Sequence, residues 1–272
     1  MNVIMKHPLF FLILTLLLLI SCLGGYDYLH YCINVRSGIS SNQIHYVSKA
    51  VLTKRQYSQN GWYYDGHDWA YVRWHHRLTG THTINGVQYH FAKNGKQTLP
   101  YRVNYHYQLS AQQGSNQRAH AKYIILHDIG NAGSGREGAA FMKATADSNQ
   151  AYTNFVVGSQ GTVYQIKRPG TVAWGAGTTA NANAPVQIEL GHTTNQTNFA
   201  ADYHAYVNLA RDMAGKYNIP LTLDRGGKET KGIKSHLWVS RHLWGDHHDP
   251  YGYLKRRGVS KQQLAHDLKN GF

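Results

Sequence analysis

Cysteine is almost absent: Cys22 and Cys32 are the two thiols in 272 residues. If Cys22 is taken up at a membrane, as its setting below suggests, no disulfide remains, and the fold must rest on its core. Charge is also sparse. Charged residues make up 15% of the chain, with 14 acidic side chains against 28 Lys and Arg, a formal net charge of +14 with histidine neutral. So large a basic excess implies an anionic partner or surface, and nucleic acid, anionic lipid and anionic wall polymers all qualify on composition alone. The chain is instead rich in tyrosine (20) and histidine (18), and its 42% apolar residues suffice for a buried core. The length suits one domain of ordinary size plus a smaller module. Low charge with much Tyr, Asn and Gly suits an extracellular protein that touches polar polymers.

The leading residues set the compartment. Lys6 and His7 precede an apolar run from Leu9 to Leu23, of signal-peptide length and short for a full span of ~20 residues. The segment directs export. Two fates stay open: Leu19-Ile20-Ser21-Cys22 resembles a lipoprotein cleavage box in which Cys22 is lipidated, or an uncleaved anchor continues through Gly24, Gly25 and Tyr26. Both predict N-terminal membrane contact and leave the remainder outside the cytoplasm, at the cell envelope or secreted, which argues against nucleic acid as the anionic partner.

The expected organisation is a signal or anchor segment over 1–25, a linker over 26–60, a small β-rich module over 61–110 and a larger α/β domain over 111–272. In 61–110, strand-favouring runs (Trp69–Trp74, Gln88–Phe91, Tyr101–Tyr105) alternate with the turn signals Thr79-Gly80, Asn85-Gly86 and Asn94-Gly95. Ile84–Phe91 followed by Asn94-Gly95-Lys96 resembles one aromatic repeat of bacterial wall-binding modules. The alternative is an ordinary hairpin pair packed on the next domain. Beyond the polar stretch 108–118, strand and helix signals alternate. Lys122–His127, Asn154–Val157, Thr162–Ile166 and Val186–Leu190 read as strands, the middle two as a hairpin. Ser134 and Glu137 form a capping-box pattern ahead of a helix over 138–146, and Ser260 with Gln263 forms another, with Val259 and Leu264 as its hydrophobic staple. Tyr203, Tyr206, Val207, Ala210, Met213, Ala214 and Tyr217 mark one face of a long helix from about Ala200. This order predicts an α/β sheet layered with helices.

His127 ends an apolar strand and opens into the glycine-containing loop Asp128–Gly133. His236 follows the polar segment 231–235, and Asp249 lies in Gly245-Asp246-His247-His248-Asp249-Pro250. Two imidazoles and a carboxylate form a suitable three-ligand zinc site with a fourth position open. In a chain with 18 histidines this spacing alone is not specific.

Five motifs in order over about 120–255 sharpen the reading. Tyr123-Ile124-Ile125-Leu126-His127 is similar to the first-ligand strand of the zinc N-acetylmuramoyl-L-alanine amidases, whose fold is shared with peptidoglycan recognition proteins. Tyr152–Val157 with Gly161–Gln165 resembles the family's "YHFVV…DGTVYQ" hairpin, Val172–Gly177 its "VAWHAG", Val186–Leu190 its "IGIEL", and Ser235-His236 with Asp249-Pro250 its "GH…DP" ending. The resemblance implies a central mixed β-sheet flanked by helices, preceded here by the β-rich module. It implies one Zn2+ on His127, His236 and Asp249, and hydrolysis of the amide between N-acetylmuramic acid and the L-alanine of the stem peptide, with peptidoglycan as substrate and a monomer as the expected state. Zinc would polarise the scissile carbonyl and lower the pKa of water toward ~7. Glu189 matches the carboxylate of "IGIEL" and is the candidate general base. His247 is the candidate oxyanion helper, with His248 and Asp246 as competitors. Trp174, Tyr152 and Asn131 would line the groove. Trp238, His242 and Trp244 would pack against the ligand loop. Asn154 and Gly175 stand where the family motifs have His, and Asp128 where a second His is frequent; none of these is a proposed ligand. A non-catalytic peptidoglycan-binding protein of the same fold is the main rival. A His-rich nuclease would need its ligands in one compact unit, and a wall-anchoring structural protein would leave the His/Asp set idle.

Overall fold

Tyr123-Ile124-Ile125-Leu126 offers no charged side chain to water, so both faces of its strand must be covered, as in a parallel sheet with helices on either side. The computed structural model describes residues 44–54 and 57–272. The expected signal or anchor segment, Cys22, Cys32 and the first part of the 26–60 linker lie outside the described residues. In chain order the first elements are β1 (Ile44–Tyr46), α1 (Lys49–Leu52), β2 (Gly61–Tyr64), β3 (Trp69–Arg73), β4 (His76–Arg77), β5 (Gly80–Ile84), β6 (Val87–Phe91) and β7 (Gln97–Thr98). Then come β8 (Arg102–Asn104), β9 (Tyr123–Asp128), α2 (Gly135–Asn149), β10 (Phe155–Gly158), β11 (Thr162–Gln165), α3 (Thr178–Asn183) and β12 (Val186–Leu190). The last are α4 (Gln196–Lys216), β13 (Gly232–Ser235), α5 (His236–His242), α6 (Tyr251–Arg256) and α7 (Lys261–Asn270).

Six strands make the central sheet in the order β13-β9-β12-β10-β11-β8. Neighbours run parallel except the β10–β11 hairpin. The period-two alternation of each strand assigns its faces. Ile124, Leu126, Phe155, Val157, Ile188 and Leu190 pack with Tyr206, Leu209, Ala210 and Met213 of α4. On the opposite face Tyr123 and Ile125 meet Trp238 and Val239 of α5, and Val156 meets Ala139 and Ala146 of α2. Each buried aliphatic side chain stabilises the sandwich by roughly 1.5–3 kcal/mol. The mixed sheet flanked by helices is the expected architecture.

Local signals explain the helix ends. Ser134 caps α2 through the full reciprocal box with Glu137. The box at α7 is half formed: Ser260 accepts from the Gln263 N–H, but the Gln263 side chain donates to Asp267 instead (2.7 Å). α4 starts at Gln196, ahead of Ala200, because the Asn195 side chain caps it by accepting from the Asn198 N–H.

Helix α2 meets the strand ends backbone to backbone. A Cβ on Gly191 would sit 2.2 Å from the Gly135 nitrogen, and one on Gly135 would sit 2.6 Å from the Gly158 Cα. Gly191→Ala is therefore expected to push α2 off the sheet at a cost of about 1–3 kcal/mol, each kcal/mol lowering the melting temperature by roughly 2–4 °C in a chain of this size. Thermal denaturation followed by circular dichroism checks this. An unchanged melting temperature would show that the helix yields freely.

The expected boundaries at 60 and 110 do not separate independent cores, and all described residues fall in one compact unit, Asn42–Phe272. β1, inside the expected linker, pairs in parallel with β2, and α1 follows it as a single turn. β8, inside the expected β-rich module, is the edge strand of the central sheet, parallel to β11. The remaining β-rich strands form a four-stranded sheet, β1-β2-β3-β4, and a three-stranded sheet, β5-β6-β7. The physical reason for this continuity is an aromatic-lined ion pair. Lys216, at the end of α4, is fully buried with its Nζ 4.9 Å from the Trp62 ring and 4.5 Å from the Trp69 ring, and it is paired with Asp212. Asp212 also accepts from the Tyr101 hydroxyl, and the Tyr89 hydroxyl donates to the Asp212 carbonyl (2.9 Å). Burial pulls the Lys216 ammonium down to about 8, against the pull of Asp212. The aromatic stretch that resembles a wall-binding repeat takes the packed-hairpin alternative: Tyr89 and Phe91 are buried, and Asn85-Gly86 makes the tight turn with φ of 51° and 77°.

Candidate metal centre

His127 falls at the carboxyl end of β9, on the face opposite α4. Its register partner across the parallel pair is Glu189 on β12, so the two side chains emerge side by side. β13 runs on the other flank of β9 and ends at Ser235. Ser235 caps α5 by accepting from the Trp238 N–H (3.0 Å), while its own N–H and hydroxyl donate to Asp224. That clamp sets His236, the first residue of α5, next to His127. The loop after α5 brings Asp249 back to both: its carbonyl accepts from the Leu237 N–H (3.0 Å) and its Oδ2 from the Asp128 N–H (3.3 Å). The carboxyl ends of parallel strands are where open α/β sheets place ligand crevices.

The three side chains converge. His127 Nδ1 lies 3.0 Å from His236 Nδ1, which lies 3.2 Å from Asp249 Oδ1, and His127 Nδ1 lies 3.6 Å from Asp249 Oδ2. One ligand atom from each falls within 4.8 Å of the others. Both histidines are buried, and Asp249 is 14% exposed at its side chain. Burial would raise the Asp249 carboxyl, but the neighbouring imidazoles of His127 and His236 prevail and hold it far below the usual carboxylate range. Burial, then the neighbouring His127, lowers His236, which favours the neutral imidazole that ligates a metal. The site can hold a metal ion. Two imidazole nitrogens and a carboxylate are a borderline donor set that suits zinc.

Glu189 stands beside the three. It is 9% exposed and its Oε2 has no hydrogen-bond partner. Burial, reinforced by Asp249 and Asp128, raises its carboxyl well above the ordinary value. His247 stacks on His236 (ring centroids 4.0 Å apart, 14° between planes), its Nδ1 3.6 Å from Asp249 Oδ1. Partial burial and His236 lower it. His247 lines the cleft and His248 does not.

The cleft holds about 970 Å³ and includes Asn131, Tyr152 and Trp174 in its lining. Tyr152 is buried at its floor; its hydroxyl donates to the Val172 carbonyl and accepts from the Ser115 N–H, both at 2.8 Å. Trp174 meets it edge-on. Asn131 is exposed, and its side chain accepts from the Gly133 N–H. Trp238 packs in the core with His242 stacked on it, whereas Trp244 is 70% exposed on the cleft rim together with Phe141 (60%).

Sequence reasoning missed several supports. The Tyr206 hydroxyl donates to the His127 carbonyl (2.9 Å), tying the ligand strand to α4. His192 bonds Asp128 (2.8 Å) and stacks on Tyr253. Gln187 approaches His127 Nε2 from β12. The readable signal for Gln187 was its place two residues before Glu189, on the same strand face. Asn154, one of the departures from the motif pattern, is buried away from the cleft and bonds backbone at Thr171 and Gln187.

The profile of the N-acetylmuramoyl-L-alanine amidase family matches residues 115–252. The chain belongs to that family. The match spans β9, both histidines and Asp249, and it ends before α7. Among curated relatives, an endolysin of Listeria phage A511 is 42% identical over 151 residues, 54% of this chain and 44% of that protein. A lytic amidase of Streptococcus pneumoniae phage HB-3 is 32% identical over 159 residues, 56% of this chain and 48% of its own length. The matched region thus spans less than half of either relative. The fold is shared with the Staphylococcus aureus hydrolase AmiA, solved with its ligand, at a TM-score of 0.55 and 22% identity over 64% of this chain and 83% of that one. In this chain the β-rich strands β1–β7 precede the matched region, and β2, β3, β5 and β6 contribute side chains to its core.

Proposed function

We propose that this chain hydrolyses peptidoglycan at the amide bond between N-acetylmuramic acid and the L-alanine of the stem peptide. The observation that carries the reading is the convergence of His127, His236 and Asp249 beside a buried carboxylate without a hydrogen-bond partner, at the floor of an open cleft. His127, His236 and Asp249 would hold one Zn2+. When bound, zinc supplies Lewis acidity, polarising a carbonyl and acidifying water. Glu189 takes the proton of the attacking water and passes it to the departing L-alanine amine; its raised proton affinity suits both transfers. His247, stacked on His236 at the cleft wall, faces the carbonyl oxygen and steadies its developing negative charge. Trp174 presents an aromatic face to a sugar ring, Asn131 an amide to the acetamido or peptide groups, and Tyr152 supports Trp174 from below. The formal charge of +14 suits work among anionic wall polymers at the cell envelope, with membrane contact through the N-terminal apolar run. Among the described residues no helix is long and apolar enough to cross a membrane.

Mass spectrometry of digested peptidoglycan tests the reading. Wild type is expected to release stem peptides with free L-alanine amino termini from intact glycan strands, and His127→Ala to release none. New reducing sugar ends without free L-alanine termini would sink the amidase assignment. Metal-free purified protein that still binds walls would favour the non-catalytic binding module.

A further inference from the structure

We infer that Gln187 is a positioning residue that selects the tautomer of His127 and so presents the Nδ1 lone pair to the metal centre. The inference rests on the metal reading above for its consequence, but its geometry stands independently. Gln187 is fully buried on β12. Its amide nitrogen donates to Asn181 Oδ1 (3.0 Å) and to the Ala173 carbonyl (3.3 Å), and Asn181 Oδ1 is itself held by the Ala176 N–H (2.8 Å). Two acceptors on that side leave one orientation for the amide, with Oε1 aimed at His127 Nε2 at 3.2 Å. An amide oxygen only accepts, so the neutral His127 ring carries its proton on Nε2 and leaves Nδ1 as the unprotonated nitrogen. Nδ1 is the atom that faces His236 and Asp249.

The space for this amide comes from Gly175. A Cβ there would sit 2.5 Å from Gln187 Oε1 and 2.9 Å from Thr153 Cγ2. Gly175, lacking a side chain, thus leaves on one element the room that the Gln187 amide occupies from the facing one, and that amide ends on the His127 imidazole. Hydrogen-bond partners of ligand imidazoles are worth about 10–100-fold in metal affinity.

Two measurements on Gln187→Met test this. The first is the tautomer of His127 in zinc-free protein, read from two-bond 15N–1H NMR correlations of the imidazole. The second is zinc affinity by competition with a chromophoric chelator. Wild type is expected to show a single Nε2–H form. Gln187→Met is expected to show a mixed or Nδ1–H form and a zinc Kd raised about 10–100-fold, with circular dichroism confirming the fold. Gly175→Ala, which keeps the glutamine but crowds its Oε1, is expected to move both readouts the same way and serves if Gln187→Met does not fold. An unchanged tautomer with a zinc Kd within twofold of wild type would overturn the inference. If wild type binds no zinc but His127 still loses its Nε2–H form with Gln187, the metal reading fails and the positioning role stands.

Discussion

Glu189→Gln is expected to abolish amide hydrolysis and at the same time raise the melting temperature of the metal-free protein at neutral pH. Burial lifts the Glu189 carboxyl well above its ordinary value, and Asp249 and Asp128 add to the lift. Between the unfolded and the folded value, the native state binds more protons than the unfolded one, so stability falls as pH rises through that window. At neutral pH the penalty is present, whereas near pH 4 and below the carboxyl is largely protonated in both states and the penalty disappears. Gln keeps the shape without the charge. The melting temperature should therefore rise at neutral pH, by roughly 2–4 °C for each kcal/mol of penalty removed, and stay unchanged near pH 4. Gln cannot accept or return a proton, and losing general acid–base assistance costs about 10²–10⁴ in rate. Release of L-alanine amino termini and calorimetry at the two pH values check the pair. Full activity would remove Glu189 from the reaction; an equal stability gain at both pH values would mean that the gain is not electrostatic.

Asp249→Asn should lose activity too, with the opposite effect on stability. Despite burial, the two imidazoles hold the Asp249 carboxyl far below its ordinary value. A depressed carboxyl stabilises the folded state above its unfolded value and loses that contribution as the medium is acidified through the folded one. The contribution is largest in mildly acidic solution, where the carboxyl is ionised and the imidazoles take up protons, so there the amide variant should melt lower without metal. It also removes the one anion among the three donor side chains. If the Lewis acid contributes about 4 kcal/mol to the barrier, its loss slows the reaction roughly 10³-fold. Metal content by atomic emission, together with turnover, checks this. Retained metal with wild-type turnover would place the ion elsewhere. The two variants thus share a functional outcome and separate on the melting curve of the metal-free protein.

The strands and helices that position the centre were legible because their signals are local. An uninterrupted apolar run marks β9, reciprocal caps mark α2, and helical spacing of aromatic and aliphatic residues marks α4. His127 was legible because it ends such a strand, and His236 because Ser235-His236 matches a family motif, although neither β13 nor α5 announces itself locally. Asp249 sits among Asp246, His247 and His248, and spacing could not choose the stacked histidine; the geometry brings His247 over His236. Less legible were features created by long-range register. Nothing local in Arg102-Val103-Asn104 announces an edge strand of the central sheet, since its partner is Thr162–Tyr164. Lys216 reads as the basic last turn of a helix, yet it is enclosed by rings supplied from residues 62–89. Gln187 reads as a polar break in an apolar strand until Gly175 and His127 are seen on either side of it.

The enclosed Lys216–Asp212 pair bears on how the family-matched region of this chain can be cut from its surroundings. The family match starts at residue 115, which invites treating everything before it as a detachable accessory. Cutting there would strip Trp62, Trp69 and Tyr89 from around a buried ammonium, expose the apolar flank of α4 and leave β11 as a bare sheet edge. A fragment of this chain meant to fold by itself has to reach back at least to β1 at residue 44 rather than start at 115, because the earlier strands serve as the outer wall of the same core.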